Sequence, residues 1–285
     1  MNYHCQKLKS GLYLVATPLG SARDITLRAL DVLCSCDVLA AEDTRSMRKL
    51  LNIHNIPLKD RPILSYNDFN GDRVRPTIMN WLNSNMAVAY ASDAGMPLIA
   101  DPGYQLSKQA AEAGFYVTAV PGASACITAL SLSGLPTDRF FFEGFLPVSK
   151  EKRRQKLKEL SSIPSTLIFY ESPKRLIKMF EDLIAIMGEN RRAVIARELT
   201  KKFEQIISGT LGELHALILK KPLKGELVVL LDRPLTTGLQ DLDVKAELRI
   251  ALSEMTLKDA SDFVASAHGL SKRYVYNLAL SMREN

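Results

Sequence analysis

Two α/β domains followed by a small helical module are the fold class this sequence predicts, and three observations carry it. Short apolar runs alternate with helical spacings, and almost every apolar run ends in a polar turn bearing glycine, proline or an acid. The length, 285 residues, leaves room for two such units. The alternation stops at Asp232 to Gln240 (DRPLTTGLQ), a Pro- and Gly-punctuated stretch that reads as a linker. The expected partition is an N-terminal α/β domain over 1–122, a C-terminal α/β domain over 123–235, and a module resembling a helix-turn-helix over 241–285.

In chain order, Gly11 to Ala16 (GLYLVA) is a strand that stops at Thr17-Pro18-Leu19-Gly20, and a helical spacing then runs through Leu27, Leu30 and Leu33. Val38 to Ala41 is a second strand, ending in Glu42-Asp43-Thr44-Arg45 before helix resumes over Met47 to Leu51. Ile63 to Asn70 (ILSYNDFN) repeats the arrangement, and Arg73 to Asn83 is a helix carrying the single tryptophan. Ala87 to Ala91 has the length and composition of a strand buried on both faces. It breaks into Ser92-Asp93-Ala94-Gly95, an apolar Met96-Pro97-Leu98-Ile99, and a second turn at Asp101-Pro102-Gly103. Open parallel sheets bind ligands just beyond such strand ends, so Asp93 and its apolar neighbours are the first candidate site. Helix over Gln105 to Ala113 and strand over Tyr116 to Val120 follow. Pro121-Gly122-Ala123-Ser124-Ala125 is then a neck of small residues that exposes the first amides of the helix Cys126 to Ser133.

The second half repeats the pattern. A strand starts at Phe140, and Lys150 to Lys158 is a helix with Lys150, Lys152, Arg153, Arg154, Lys156 and Lys158 against Glu151, the densest positive run in the chain. Strands are expected over Ser165 to Tyr170, Ala193 to Ala196, Phe203 to Ser208 and Leu227 to Leu231, with helices over Leu176 to Ile186 and Leu211 to Leu219. Beyond the linker, Leu242 to Leu252, Thr256 to Ala267 and Lys272 to Met282 are three short helices, the last capped by Ser271.

Composition narrows the function. Thirty-seven Lys and Arg against thirty-one acids give a net charge of +6, which favours an anionic partner. Four cysteines without a CxxC pair and four scattered histidines suggest no metal site. No strand is followed by a GxGxxG or GxxxxGK[ST] loop, which removes the usual dinucleotide and P-loop readings. The start of the chain lacks a long apolar core and no run approaches a membrane span, so a cytoplasmic location is expected. Three strand ends set an acid beside a base, each either a structural salt bridge or a pair able to take up a proton: Glu42 with Arg45, Glu171 with Lys174 or Arg175, and Glu198 with Arg197 or Lys201.

Nine blocks in order carry a resemblance: GLYLVATPLG, DITLRALDVL, AAEDTR, SDAGMPLIADPG, VPGASA, FEGFLP, FYESPKRL, RELTKKFE and KGELVVLL. Over about residues 11–232 the chain resembles the tetrapyrrole methylase superfamily, and within it the bacterial branch that methylates ribose 2′-hydroxyls of small-subunit ribosomal RNA. The resemblance implies S-adenosylmethionine held in a cleft between the two domains, a homodimer, and small-subunit (16S) ribosomal RNA or the 30S subunit as partner, a cytidine being the methylated nucleotide. Matched by position, the implied cofactor contacts are Pro18, Leu19, Asp93, Met96, Ser124, Ala125, Tyr170 and Gly225. Glu171, which follows Tyr170, is the first expected proton acceptor and Glu42 the second, while the six cations of 150–158 are expected to track RNA phosphates. Ser21-Ala22-Arg23, Met96, Asn67-Asp68-Phe69 and Lys174 depart from the family's usual residues, so no histidine stands near Asp68. Two other readings stay open at this level: methylation of a small tetrapyrrole or precorrin, and a non-catalytic RNA-binding assembly protein.

Overall fold

The computed structural model of the chain describes residues 3–234, 239–268 and 270–283. Its first sheet contains β1 (Gly11–Val15), β2 (Val38–Ala41), β3 (Ile63–Ser65), β4 (Ala87–Ala91) and β5 (Val117–Val120), in the order β3-β2-β4-β1-β5 and parallel throughout. Helices α1 (Leu27–Ser35), α2 (Thr44–Ile53), α3 (Gly71–Asn83) and α4 (Tyr104–Glu112) connect them. Strand periodicity sends Tyr13, Val15, Leu39 and Ala41 to one face with Leu30 and Leu33 of α1. Leu12, Leu14, Val38 and Val88 go to the other, with Ile78 of α3 and Leu106 of α4. With both faces covered, β1, β2 and β4 are buried along their whole length, which is why they read as continuous apolar runs. Parallel pairing also brings every strand's C-terminal loop to one edge.

The second sheet contains β6 (Phe140–Phe145), β7 (Thr166–Glu171), β8 (Arg192–Arg197), β9 (Gln205–Thr210) and β10 (Leu227–Leu231), ordered β6-β7-β10-β8-β9. Between β5 and β6 lies α5 (Ala125–Ser133), and α6 (Lys150–Ser161), α7 (Pro173–Met187) and α8 (Leu211–Lys220) complete this half. One sheet face packs Leu167, Phe169, Ile195 and Val229 against Leu157, Phe180 and Leu214 of these three helices. The other face packs Ile168, Val194, Val228 and Leu230 against Ala129 and Leu130 of α5, and Leu19 from the β1 loop joins that cluster. Because β10 runs antiparallel to both β7 and β8, its first residue, Leu227, sits level with Glu171 and Arg197 at their last residues. β9 begins two residues later than expected, because the chain first turns through Glu198 and Thr200, at φ +49° and +60°.

Both sheets belong to one compact unit, Met1–Arg233, and Pro234–Asn285 forms another. In the latter, α9 (Leu239–Glu254), α10 (Leu257–His268) and α11 (Lys272–Arg283) enclose a core of Val244, Leu248, Ala260, Val264, Val275 and Ala279. Ser271 caps α11 as its position predicts, accepting the Tyr274 N–H at 3.2 Å. Residues 235–238 of the expected linker lie outside the described residues, and Leu239 and Gln240 already belong to α9. A disulfide joins Cys5 and Cys34, a pairing that no spacing motif signals. Among the described residues no helix is long and apolar enough to cross a membrane, and no group of three His, Cys, Asp or Glu side chains could hold a metal ion.

Candidate active site

Three loops from the first sheet meet four strand ends of the second around a cavity of about 340 Å³, within the range of small-molecule sites. The β1 and β4 loops are fastened to each other first. Thr17 donates its N–H to the Gly95 carbonyl at 2.9 Å and accepts the Gly95 N–H at 3.0 Å, while its hydroxyl donates to the Ser92 carbonyl at 3.2 Å. The turn that allows this needs Gly95 at φ +82°, where an added Cβ would press on Leu19 and the Ala123 carbonyl. Tyr170 ties the second sheet to the neck: its hydroxyl accepts the Cys126 N–H at 3.1 Å, and its ring packs edge-on against Phe142 and Phe145.

Two glutamates stand at the far wall, Glu171 in its lining and Glu198 behind it, bonded to the lining residue Glu226. Glu198 Oε1 accepts the Glu226 N–H at 2.9 Å and lies 3.2 Å from Lys201 Nζ; that amide and then the lysine hold its carboxyl below the usual carboxylate range. Glu171 is buried, with 3% of its surface exposed. Its Oε1 accepts the Ser172 N–H at 2.7 Å and stands 3.2 Å from Arg175 Nε, whereas its Oε2 has no partner. Burial pushes the Glu171 carboxyl up, against the opposing pull of the Ser172 amide and Arg175. An orphaned buried carboxylate oxygen costs free energy unless a donor arrives, so this wall is built to receive one.

Of the residues singled out in the sequence, Leu19, Met96, Ser124, Ala125, Tyr170, Glu171 and Gly225 all line this cavity. Pro18 and Asp93 do not. They line a separate pocket with Asp43, Ser46 and Lys49, where Asp93 Oδ1 accepts the Asp43 N–H at 3.2 Å. Glu42 is also outside, accepting the Asp93 N–H at 3.4 Å; burial first, and the neighbouring Asp93 and Asp68 charges, push its carboxyl up. Sequence reasoning missed Asp101, which it read only as a turn residue. Asp101 lines the cavity, and burial followed by the charge of Glu42 pushes its carboxyl up to about 6. It is delivered there by left-handed backbone at Leu98 and Ala100, φ +72° and +59°, which non-glycine residues give no means of foreseeing.

The basic helix α6 is corrected in the same way. Arg153 is only 5% exposed and Asp182 of α7 only 2%. Arg153 Nη2 lies 2.6 Å from Asp182 Oδ2, and Arg154 Nε lies 2.8 Å from Oδ1. Lys156 pairs with Glu159 at 3.2 Å. Half of the expected phosphate-tracking face therefore neutralises acids of the same chain, and Lys150, Lys152 and Lys158 remain exposed with no ion pair among the described residues.

Residues 11–215 match the family described as Tetrapyrrole (Corrin/Porphyrin) Methylases. The chain belongs to the tetrapyrrole methylase family. Residues 239–283 match a second family, the RsmI C-terminal HTH domain. Among curated relatives, Ribosomal RNA small subunit methyltransferase I of Vibrio cholerae is 44% identical over 273 residues, 94% of each chain. The protein of that name from Escherichia coli O157:H7 is 42% identical over 276 residues, 95% of each. Among solved structures, cobalt precorrin-4 methyltransferase superposes with a TM-score of 0.60 at 16% identity, over 78% of this chain and 94% of that one. Uroporphyrin-III C-methyltransferase from Thermus thermophilus, complexed with S-adenosyl homocysteine, gives 0.56 at 18% identity, over 78% and 97%. Those structural likenesses are of fold.

Proposed function

We propose that this chain transfers a methyl group from S-adenosylmethionine to the ribose 2′-hydroxyl of a cytidine in small-subunit ribosomal RNA. The relatives that share over 40% identity across 94–95% of the chain are named as small-subunit ribosomal RNA methyltransferases, and the fold is one on which a solved neighbour holds the demethylated cofactor. The observation that carries the reading is the cavity itself: apolar walls and turning backbone around one buried, unpartnered carboxylate oxygen.

The residues present fit the cofactor. Leu19, Met96, Ile99 and Val228 would wall an adenine, and Glu171 Oε2 would accept a hydrogen bond from a cofactor donor. When bound, S-adenosylmethionine supplies an already activated methyl group, so the protein's share of the work is alignment, exclusion of water and disposal of one proton. Of the two expected proton acceptors only Glu171 reaches the cavity. Its other oxygen is committed to Ser172 and Arg175, and its side chain is 1% exposed, an environment that suits holding a ligand.

The exposed lysines of α6 and the C-terminal helices are the surfaces assigned to RNA. Methylation of a small tetrapyrrole rests on fold likeness alone and gives those lysines no work. A non-catalytic RNA-binding protein leaves the cavity unexplained. For the homodimer, β6 is an edge strand presenting Phe140, Phe141 and Phe145 at 43%, 38% and 54% exposure, and a second copy of the chain is the partner we assign to it. Light scattering of the Phe141→Glu variant against the unaltered protein tests that assignment; a monomeric unaltered protein refutes it.

The test of function is to map ribose methylation on small-subunit RNA from cells with and without the gene, alongside calorimetric titration with S-adenosylmethionine. One lost 2′-O-methyl cytidine and a saturable cofactor site are expected. Unchanged methylation would overturn the reading, and absent cofactor binding would leave only the RNA-binding alternative.

A further inference from the structure

A second cavity, of about 180 Å³, adjoins the first, and Asp101 is a wall of both. Its other walls come from the β3–α3 turn, with Tyr66, Asn67 and Asp68, from Arg75 of α3, and from Tyr104 at the start of α4. The chain fixes Asp101 between them through its neighbour: the fully buried Tyr90 donates its hydroxyl to the Pro102 carbonyl at 2.8 Å. Arg75 Nε donates to the Tyr66 hydroxyl at 3.3 Å and Arg75 is ion-paired to Asp72, so the opposite wall is equally braced.

We infer that this second cavity seats the nucleoside whose hydroxyl is methylated, and that Asp101, standing between nucleoside and cofactor, accepts the hydroxyl proton. The inference rests on the function proposed above and deepens it. Size limits the occupant: 180 Å³ lies below the roughly 300–1,000 Å³ of sites for drug-sized ligands, room for the ribose with its base lying on the rim and not for a macrocycle. Chemistry agrees. Tyr104, 61% exposed, is an aromatic surface on which an unstacked base can lie, and Phe69, fully exposed in the turn that carries Asp68, offers a second. Asn67 and Arg75 supply polar groups able to read a base edge or a sugar.

The step balances with what the reaction supplies. The ribose oxygen forms its bond to the methyl carbon as the carbon–sulfur bond breaks with its electron pair left on sulfur, and the O–H proton passes to an Asp101 oxygen. Burial first, then the charges of Glu42 from the β2 loop, Asp93 from the β4 loop and Asp68 from the β3–α3 turn, push the Asp101 carboxyl up to about 6 against the pull of Ser92, which suits a proton acceptor. Glu171, on the opposite sheet, lines the first cavity but not the second.

The experiment compares the full-length protein with Asp101→Asn, Asp101→Glu and Tyr104→Ala, using small-subunit ribosomal RNA and 30S subunits as substrates under single-turnover conditions across pH 5–9. Cofactor affinity is measured by calorimetry and folding by circular dichroism. The expected result is a loss of about 10²–10⁴ in rate for Asp101→Asn with cofactor affinity kept, disappearance of the acid limb of the pH profile, and partial recovery in Asp101→Glu. Tyr104 is exposed, so its truncation should leave folding intact and raise the RNA concentration needed for half-maximal rate. If folded Asp101→Asn keeps the rate and the acid limb, Asp101 is not the acceptor, and if Tyr104→Ala leaves the RNA requirement unchanged, the nucleoside sits elsewhere. Should Asp101→Asn fail to fold, the inference stands or falls on the acid limb in Asp101→Glu and on Tyr104→Ala. An unaltered protein that methylates neither substrate defeats the function proposed above, a result distinct from any of these.

Discussion

The carboxylate of Glu198 occupies the space that a side chain on Gly225 would need: an added Cβ would lie 2.4 Å from it. Gly225 also sits at φ +91°, which a side chain disfavours. Gly225→Ala should therefore cost about 1–3 kcal/mol of stability. Because Glu198 would be displaced from the Glu226 amide at the cavity wall, cofactor affinity should fall about tenfold. Thermal melting and calorimetry check the two effects separately, and an unchanged affinity would show that this wall does not touch the cofactor.

Arg153 and Asp182 form a pair with almost no solvent contact, and removing one partner strands a buried charge. Asp182→Ala should cost about 3–5 kcal/mol, measured by urea unfolding. Replacing the exposed Lys152 by Ala should change stability by less than about 0.5 kcal/mol. Equal costs would mean the α6–α7 pair adds nothing beyond surface charge.

RNA binding should follow the exposed lysines and not the helix's total charge. Reversing Lys150, Lys152 and Lys158 together should flatten the slope of log affinity against log salt by at least about 0.7 for each phosphate that is no longer neutralised. Filter binding across a salt series measures it. A slope that stays put would assign the phosphate-binding role to other surfaces, the C-terminal helices first.

Asp101 carries a consequence for pH that activity does not enter. Its ordinary pKa is 3.8 and its folded value is about 6, so the folded chain holds the proton more tightly than the unfolded one. The stability due to that proton is complete below the unfolded value and is lost as pH rises through about 6. Asp101→Asn cannot ionise, so it should be more stable than the unaltered protein at pH 8, with the difference fading towards pH 4. Urea titrations at pH 4, 6 and 8 decide this, and a constant difference would mean the carboxyl is not perturbed by folding.

The alternation of apolar runs with polar strand ends made most of the fold legible, because a parallel sheet covered on both sides leaves that signature directly in the chain. The boundaries of β2, β4 and β10 coincide with the expected ones. Seven of the expected cofactor and catalytic positions share one cavity: Leu19, Met96, Ser124 and Ala125 because loops that follow parallel strands collect at one edge, and Tyr170, Glu171 and Gly225 because antiparallel β10 begins level with the end of β7. What the sequence hid depends on direction and partnership. Asp93 lies in the right loop but turns towards Asp43, and Asp101 reaches the cavity only through left-handed residues that are not glycine. Arg153 looked like part of a charged face because its partner, Asp182, is 29 residues away on another helix. Charge runs record neither burial nor long-range pairing.

The placement of β10 between β7 and β8 also says something about synthesis on the ribosome. The first sheet is complete once Val120 has emerged, since β5 is its last strand and an edge. The second has no such order: β7 and β8 must wait for residues 227–231 to fill the gap between them. A nascent chain stalled before Leu227 would expose two unpaired strand edges and lack Leu227 and Val228 of the cavity wall, so a late pause in translation leaves edges open to wrong pairing.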